Sequence, residues 1–594
     1  QRSRSVPARR LLGSRDISAP MGAHRRDEKR MPRDYELSQR TEPDHVIRRL
    51  VLLAYLPSGF WSRLLSRILG DDTVVEIIRS YFQIPPEAEQ DPQIGKIISE
   101  NKPEWVCWQT GLELQYLDTA IFSVKEILPR SATSMSYHSM DMMAKLEGRW
   151  TEVEQTGSAI LEICLPQDTV VIKRPIKDEN RKEPIGYQAL VLEPDPKVVC
   201  QFLSMAVEHI DQLLEDWYPS LGTRFVHTSE GKMLVTRLVP CPRCLETQRD
   251  KVENHPSKDW NFICSKQFED LVKEGKPVAE ACKLSQESNK RDSGMGQDAK
   301  GGTDDSMDRK LEIYKHGLPP QEDKVYTFLV EECILYAFDG KNAECPLHVE
   351  LSLAQIAPDT VFLDLGDRLV MSQEAIKRGS LIGRGAFGFV FGATCRGRGG
   401  VGFREVAIKM LQPVDPGLRA RSSSQAAFKA AMTKWERDPM QYACKAYCTA
   451  RQELNILLHI KHPHVVPLVG ICIKPLAIVL DLAPMGALDS MLKHYRRSGA
   501  KLGVSTIQQV LVQIARALEY LHQQHIIYRD LKSENVLVWN IPQPFEVSHA
   551  SNVQVKLADY GISRACLPTG AKGFGGTEGF MAPEIMKYNG EEEY

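Results

Sequence analysis

Apolar and polar positions alternate in several different ways along this chain of 594 residues, and parts of the pattern predict helices. From His45 to Pro85 apolar residues recur at helical spacing, and a Pro-Ser-Gly turn breaks the run, which predicts two helices. A longer amphipathic helix is predicted over VVCQFLSMAVEHIDQLLEDWY, and we expect its apolar stripe to dock on its own sheet or on another subunit. The stripe consists of Phe202, Met205, Ala206, Ile210, Leu213 and Leu214.

Shorter apolar runs in the first half of the chain have the length and the β-branched content of strands. They are EWVCWQTGLELQYLD, SAILEICLP, DTVVIKRP and KMLVTRLVPCP. Residues 1–44 are rich in Arg, Ser and Pro, residues 283–324 are polar and rich in Gly and Ser, and neither segment shows such a pattern. We expect a disordered basic tail and a flexible insertion, respectively. Structure is expected to resume with YTFLVEECILYAF and LSLAQIAPDTVFLDL.

Composition excludes several classes of protein. Hydrophobic residues make up 42% and charged residues 26% of the chain, and the net charge is -2, so no nucleic-acid partner is expected. The longest apolar stretch, residues 50–61, contains Pro57 and Gly59 and is too short for a transmembrane segment. The 14 cysteines are too sparse for a disulfide scaffold, which favours a cytoplasmic location, with peripheral membrane contact left open.

A glycine-rich segment, LIGRGAFGFVFG, places Gly383, Gly385 and Gly388 between two strand-like runs. Glycines let the backbone lie close over phosphates and present its N–H groups to them. A dinucleotide-binding loop has the same spacing but requires a helix directly afterwards, whereas this chain continues as strand. The segment therefore favours the nucleotide-binding hairpin of a protein kinase. The other residues predicted to bind the nucleotide are Ile382, Val390, Ala407, Lys409, Asp481, Ala483 and Leu537.

Lys409 ends the strand-like VAIK motif downstream of the glycines. Its ammonium is a compact point charge that suits the α- and β-phosphates of ATP, but it needs a carboxylate to orient it. The preferred partner is Glu453 on an amphipathic helix, and Glu436 is a weaker alternative. The long separation between Lys409 and Glu453 predicts an insertion before or within that helix.

The motifs YRDLKSEN, ADYG and GTEGFMAPE supply the remaining parts of a phosphate-transfer site. Asp530 would accept the proton of the attacking hydroxyl, and Asn535 and Asp559 would hold Mg²⁺. Lys532 would neutralise the transferred phosphate, and Thr577 would bond to Asp530 and Lys532. The motifs thus predict ATP and Mg²⁺ as cofactors and protein hydroxyls as substrates.

A second candidate site is formed by two pairs of metal-ligand residues, Cys241 with Cys244 and Cys345 with His348. Each pair has two residues between its ligands, and together they make Cys₃His, a known structural zinc set. The alternative is three ordinary reduced thiols and a surface histidine. Competing ligands are Cys264, Cys282 and Cys333.

The order of LSLAQIAPDTVFLDL, LIGRGAFGFVFG, IIYRDLKSENVLVW and ADYGISR resembles the Roco-family leucine-rich-repeat kinases. The upstream segment RRLVLLAYLPSGFWSRLLSRIL resembles the region of that family called COR (C-terminal of Roc). The resemblance covers about residues 45–594. It implies an ATP-dependent serine/threonine kinase, an upstream GTPase domain with leucine-rich repeats, and a homodimer formed through the COR region. GTP binding by this chain is not expected, because the sequence contains no G-x-x-x-x-G-K-[ST] loop.

The expected fold is a multidomain α+β protein. A COR-like α/β region over residues 45–360 is followed by a two-lobed kinase domain over residues 370–594 that is incomplete after the APE motif. The expected function is transfer of the γ-phosphate of ATP to proteins, with the COR-like region relaying the state of the dimer and the GTPase. The alternative is a nucleotide-binding scaffold or pseudokinase joined to a dimerisation domain.

Overall fold

The computed structural model describes residues 36–40, 46–71, 73–84, 101–127, 141–146, 149–153, 159–176, 186–221, 234–254, 324–366, 368–384, 388–396, 402–417, 420–545, 552–565 and 576–587. We call residues 36–366 the first half of the chain and residues 368–587 the second half. The strands of the first half are β1 (Glu36–Arg40), β2 (Val46–Leu53), β3 (Phe82–Gln83), β4 (Glu104–Trp108), β5 (Gly111–Tyr116), β6 (Thr119–Ile127), β7 (Met142–Leu146), β8 (Arg149–Glu152), β9 (Ala159–Pro166), β10 (Thr169–Ile176), β11 (Gly186–Pro194), β12 (Val235–Pro240), β13 (Val325–Leu329), β14 (Ala343–Cys345) and β15 (Val349–Leu351). Those of the second half are β16 (Val370–Met371), β17 (Ile376–Arg384), β18 (Phe389–Arg396), β19 (Phe403–Met410), β20 (Leu468–Cys472), β21 (Ala477–Asp481), β22 (Ile526–Ile527), β23 (Val536–Asn540), β24 (Gln554–Leu557) and β25 (Arg564–Ala565). The helices are α1 (Phe60–Leu69), α2 (Thr73–Arg79), α3 (Pro196–Trp217), α4 (Pro242–Asn254), α5 (Val330–Asp339), α6 (Leu353–Ile356), α7 (Ser422–Arg437), α8 (Pro439–Leu457), α9 (Leu488–Ser498), α10 (Val504–Gln523) and α11 (Pro583–Met586).

A nine-stranded sheet forms the centre of the first half, in the order β4-β5-β6-β9-β2-β12-β13-β7-β8. The predicted first helix of the 45–85 segment is wrong, because Val46–Leu53 is strand β2 in the middle of this sheet. A central strand is covered on both faces, so its apolar residues run continuously instead of alternating, and such a run cannot be told from a buried helix by periodicity. The second half of the segment is helical as predicted, as α1 and α2.

Helix α3 covers one face of this sheet. It begins at a proline in the first turn, where the missing N–H costs nothing, and the Asp195 side chain accepts a hydrogen bond from the Lys197 N–H at 2.8 Å. The predicted apolar stripe is buried against α1, α2 and the sheet, except for Met205, which is only partly buried. The stripe therefore docks on its own chain, the first of the two predicted alternatives.

A four-stranded antiparallel sheet, β1-β10-β11-β3, lies beside the larger one. The prediction that residues 1–44 are wholly disordered is wrong for Glu36–Arg40, which form β1 and pair along β10. An edge strand needs only a backbone ladder on one side, so a polar composition does not prevent it from forming. The predicted flexible insertion, residues 283–324, lies outside the described residues except for Lys324.

The second half has two lobes, as the motifs predict. A six-stranded sheet, β16-β20-β21-β19-β18-β17, packs against α8 in the first lobe. Helices α9 and α10 and the two-stranded pairs β22-β25 and β23-β24 lie in the second lobe. The predicted insertion before Glu453 is helix α7, which ends at Arg437 and is followed directly by α8.

Helix α5 and the segment after it connect the two halves. The helix packs along α8 of the first lobe, and its Phe338 ring lies 5.8 Å from the ring of Trp435 on α7, measured between centroids. One buried apolar cluster continues from the nine-stranded sheet through α5 and α8 to the loop around Tyr528. Among the described residues, no helix has both the length and the apolar content needed to span a membrane.

Candidate active site

The glycine-rich hairpin is formed by β17 and β18. Gly383 pairs with Val390 in an antiparallel register, and Gly385 lies outside the described residues. A Cβ on Gly388 would lie 3.0 Å from the carbonyl oxygens of Met410, at the end of β19, and of Gln412, which is tighter than an ordinary contact, so glycine favours this close approach of the hairpin. The hairpin is therefore held against the strand that carries Lys409.

Lys409 lies on β19 between Val390 of β18 and Ile478 of β21. Its Nζ donates hydrogen bonds to Glu453 Oε2 and to Asp559 Oδ1, each at 2.7 Å. Glu453, on α8, is fully buried, whereas the alternative partner Glu436 is exposed on α7. The structure thus pairs Lys409 with the preferred candidate and adds Asp559, a contact that the sequence spacing did not predict.

The charges of Lys409, Glu453 and Asp559 influence one another's pKa values. Burial alone would lower the pKa of Lys409, but the carboxylates of Glu453 and Asp559 outweigh it and raise that pKa. Burial raises the pKa of Glu453 against the opposing attraction of Lys409. Burial would also raise the pKa of Asp559, but the charge and hydrogen bond of Lys409 outweigh it, so that this pKa is lowered. Lys409 therefore stays charged, and Asp559 stays an anion.

The loop after β22 carries Asp530 at its centre. Lys532 Nζ donates to Asp530 Oδ2 and to Thr577 Oγ1, both at 2.7 Å, and Thr577 Oγ1 donates to Asp530 Oδ1 at 2.5 Å. Asn535 Nδ2 donates to Asp530 Oδ2 at 2.8 Å and to the Asp530 carbonyl at 2.9 Å. The structure brings together all four residues that the motifs predicted to meet here.

The backbone around these groups is strained at two positions. Arg529 and Asp559 have φ angles of 70° and 61°, in the left-handed region that side chains other than glycine seldom adopt. Such strain persists only where the surroundings enforce it, and it is common at functional sites. Here it directs the Asp530 and Asp559 segments towards the same cleft as Lys532.

A buried stack joins the lobes behind the cleft. The Tyr528 and Tyr560 rings lie 5.4 Å apart at 69°, and Leu457 and Leu468 belong to or pack against the same core. The Tyr528 hydroxyl donates to the Ala558 carbonyl, and the Tyr560 hydroxyl donates to the Leu557 carbonyl at 3.3 Å. Tyr560, which stands where kinases usually have Phe, therefore has both the packing and the hydroxyl partner that a buried tyrosine requires.

The predicted adenine pocket lies between the lobes. Ala407 is buried, Val390 and Leu537 are half-buried, and Ile382 is exposed. The Asp481 N–H donates to the Pro467 carbonyl at 3.1 Å, so this residue can offer a purine only its carbonyl. Ala483 follows in the connection after β21.

The four predicted zinc ligands also meet. Cys241 and Cys244 lie at the start of α4, and Cys345 and His348 lie in the β14–β15 hairpin. One ligand atom from each residue lies within 4.8 Å of the others. Of the predicted competitors, Cys333 is buried in α5, and Cys264 and Cys282 lie outside the described residues.

The sequence did not predict a buried charge network that ties α8 to the first half of the chain. Arg451 Nη1 donates to Asp364 Oδ2 at 2.7 Å, and the guanidinium of Arg49 on β2 binds both carboxylate oxygens of Asp359, at 2.8 and 3.2 Å. All four side chains are buried. Two aspartates within an otherwise apolar run, APDTVFLDL, were the available signal, because buried charges need partners.

Comparisons with known proteins agree with this geometry. Residues 376–594 match the protein kinase domain family. The chain is 43% identical over 559 residues to leucine-rich repeat serine/threonine-protein kinase 1 of Caenorhabditis elegans, and the match covers 93% of this chain and 22% of that protein. It is 25% identical over 565 residues to the Mus musculus protein of the same name, covering 92% of this chain and 21% of the relative.

A shorter match, 31% identical over 212 residues, relates 35% of this chain to 18% of mitogen-activated protein kinase kinase kinase 10 of Mus musculus. The matches confirm the predicted kinase fold and the resemblance drawn from the motifs. The chain spans about a fifth of the length of the leucine-rich repeat relatives.

Proposed function

We propose that this chain is a leucine-rich repeat serine/threonine-protein kinase and that it transfers the γ-phosphate of ATP to serine and threonine hydroxyls of proteins. The observation that carries the proposal is the assembled pair of charge clusters in one cleft. Lys409 is bound by Glu453 and Asp559, and Asp530 is bound by Lys532 and Thr577. Phosphoryl transfer depends mainly on positioning and charge neutralisation, and these groups supply both.

Each group has a role that fits its surroundings. Lys409 would bind the α- and β-phosphates, and its raised pKa keeps it cationic. Asp530 would orient the substrate hydroxyl and accept its proton, while Lys532 would neutralise the transferred phosphoryl group. Lysine at position 532 is typical of serine/threonine kinases.

Asp559 and Asn535 would hold Mg²⁺ in the loaded enzyme. A carboxylate and an amide oxygen form the hard donor set that this ion prefers, and the Asp559 side chain is 44% exposed to the cleft. Bound Mg²⁺ neutralises the phosphates. The hydrogen bond from Lys409 keeps Asp559 ionised and oriented before the ion arrives.

Phosphate transfer tests the proposal. We would measure transfer from ATP-Mg²⁺ to a generic serine/threonine substrate by the protein and by its Asp530→Asn variant. Transfer should occur and fall by about 10²- to 10⁴-fold in the variant, as expected when a catalytic base is lost. A folded, ATP-binding protein without transfer would favour the scaffold or pseudokinase instead.

The first half of the chain is part of the proposal as a COR-like regulatory region. Its nine-stranded sheet shares a continuous core with α8, and α8 carries Glu453. The Arg451–Asp364 ion pair fixes the same helix two residues before Glu453. A change in the COR-like region, such as dimerisation or a signal from an upstream GTPase domain, could therefore move Glu453 relative to Lys409.

Zinc is a second metal in the proposal. The Cys241, Cys244, Cys345 and His348 side chains form a set known from structural zinc sites, and the three thiols are buried. They lie on elements of the first half of the chain rather than in the cleft, so the metal would be structural. We place the protein in the cytoplasm, with membrane contact only peripheral; in support, no cysteine in the described part of the chain forms a disulfide.

A further inference from the structure

The Cys₃His cluster joins two elements that are distant in sequence. Cys241 directly follows β12 and Cys244 lies in the first turn of α4, while Cys345 ends β14 and His348 directly precedes β15. His348 Nδ1 lies 3.5, 3.4 and 3.6 Å from the sulfurs of Cys241, Cys244 and Cys345, and the Cys244 and Cys345 sulfurs are 3.7 Å apart. All three thiols therefore converge on one imidazole nitrogen.

These separations match the edges of a zinc tetrahedron. With zinc–sulfur bonds of about 2.3 Å and zinc–nitrogen bonds of about 2.0–2.1 Å, sulfur–sulfur edges are about 3.8 Å and sulfur–nitrogen edges about 3.6 Å. A disulfide between Cys244 and Cys345 would need a sulfur–sulfur distance of about 2.0 Å, which is far shorter than the 3.7 Å observed. The arrangement fits an ion at its centre better than it fits a disulfide.

The β14–β15 hairpin is short, and apart from its ladder it is held by the buried side chains of Ala343 and Leu351. Its ladder consists of three residue pairs, and an isolated two-stranded hairpin is marginally stable in water. The Cys345 carbonyl accepts a hydrogen bond from the His348 N–H at 3.2 Å, so the turn already presents both ligands on one side. A zinc ion would fasten this hairpin to the end of β12.

Along the chain, the same hairpin lies between two segments that contact α8. It follows α5 after the Gly340 turn, and α5 packs along α8, where Cys444 Sγ lies 3.9 Å from the Glu331 carbonyl. It is followed by α6 and by Asp364, which binds Arg451 of α8. The position of the hairpin therefore affects α8 from both sides.

This inference rests on the zinc site proposed above. We infer that the zinc ion acts as a structural clip: it holds α5 and the segment around Asp364 against α8, and so keeps the Glu453 carboxylate bound to the Lys409 ammonium. The chain of contacts runs from the Cys₃His site through β14–β15 and α5 to α8. Loss of zinc loosens α8 before it unfolds the nine-stranded sheet, because the sheet has its own core under α3.

Metal content tests the site itself. The whole chain, purified without added metal, should contain about one zinc ion per chain by mass spectrometry of the metals. Cys345→Ser and His348→Ala should lose it. His348→Cys, which converts the set to Cys₄, should retain it, and so should the control Cys107→Ser at an exposed thiol. A zinc-free wild type, or zinc retained by both Cys345→Ser and His348→Ala, would overturn the inference.

Hydrogen exchange tests the clip. Removing zinc with a chelator should speed amide exchange about 10-fold in β14–β15, α5 and α8, because exchange follows local opening. Strands β4 to β6 should be unchanged and serve as the internal reference. Unchanged exchange in α8 would contradict the clip, and so would equal acceleration in β4 to β6, which would make zinc a general stabiliser. Neither experiment requires ATP, so the outcome of both is independent of phosphate transfer.

Discussion

At the scale of single residues, the charges of the cleft converge on Lys409. Its ammonium is bound at 2.7 Å by one buried carboxylate, Glu453, and by one half-exposed carboxylate, Asp559. Two anions around one cation leave the group with a net negative charge, which suits a site that must take up Mg²⁺ together with ATP phosphates. The Lys409–Asp559 bond is therefore the contact that ligand binding has to rearrange.

Acid should weaken this contact in a defined direction. The pKa of Asp559 is lowered from its ordinary value of 3.8 by Lys409, so the folded state binds its proton less readily than the unfolded state does. The contribution of Asp559 to stability is then complete above the ordinary pKa and is lost as pH falls through the lower, folded-state pKa. Urea unfolding at a series of pH values should show wild type and Asp559→Asn converging in acid.

Asp489→Asn, at an exposed ion pair on α9, serves as the control for this experiment. Its difference from wild type should be small at every pH. A difference between wild type and Asp559→Asn that stays constant from neutral to acid pH would contradict the account.

Motif spacing predicted which residues meet in the cleft, but it did not predict the bond between Lys409 and Asp559. Lys409, Glu453, Asp530 and Thr577 could be placed because each motif has a fixed position in the kinase fold. The direct bond of Lys409 to Asp559 depends on the left-handed conformation at Asp559, which no local sequence signal specifies.

At the scale of elements, helix α8 is the part that connects the two halves of the molecule. Its Arg451 lies over the Phe362 ring at 4.2 Å and donates to Asp364, and the Tyr447 hydroxyl donates to the Asp359 carbonyl at 3.1 Å. Burial would lower the pKa of Arg451, but Asp364 outweighs it and raises that pKa, so the guanidinium remains charged inside the protein. Such a buried cation depends on its partner.

Removing that partner should be costly. Asp364→Ala leaves the charge of Arg451 buried and unpaired, and we expect it to reduce the free energy of unfolding by about 3–5 kcal/mol. Asp489→Ala removes a carboxylate from the exposed Lys493 pair on α9 and should cost at most about 1 kcal/mol. Denaturant unfolding of the two variants gives both values. Equal losses would show that the Arg451–Asp364 pair contributes no more than a surface pair.

Elements were predictable where one face is apolar and the other polar, as in α3. The prediction failed at β2, where burial on both faces removes the period of two, and at β1, which is held by its ladder with β10. The connection of α5 to α8 joins residues far apart in sequence, and no periodicity reports such a contact.

At the scale of the whole molecule, one buried cluster continues from the nine-stranded sheet to the catalytic loop, and α8 lies in its middle. The central claim is that the first half of the chain sets the position of Glu453, and with it the rate of phosphate transfer. The most direct measurement is the kcat of phosphate transfer by the protein, with Asp364→Asn compared with Asp489→Asn.

Asp364→Asn keeps the shape of the side chain but removes the charge that holds Arg451. We predict that its kcat falls about 10- to 100-fold, because a small displacement of Glu453 misplaces Lys409. Asp489→Asn should match wild type. A folded Asp364→Asn variant with wild-type kcat would contradict the claim that the first half of the chain positions the catalytic groups through α8.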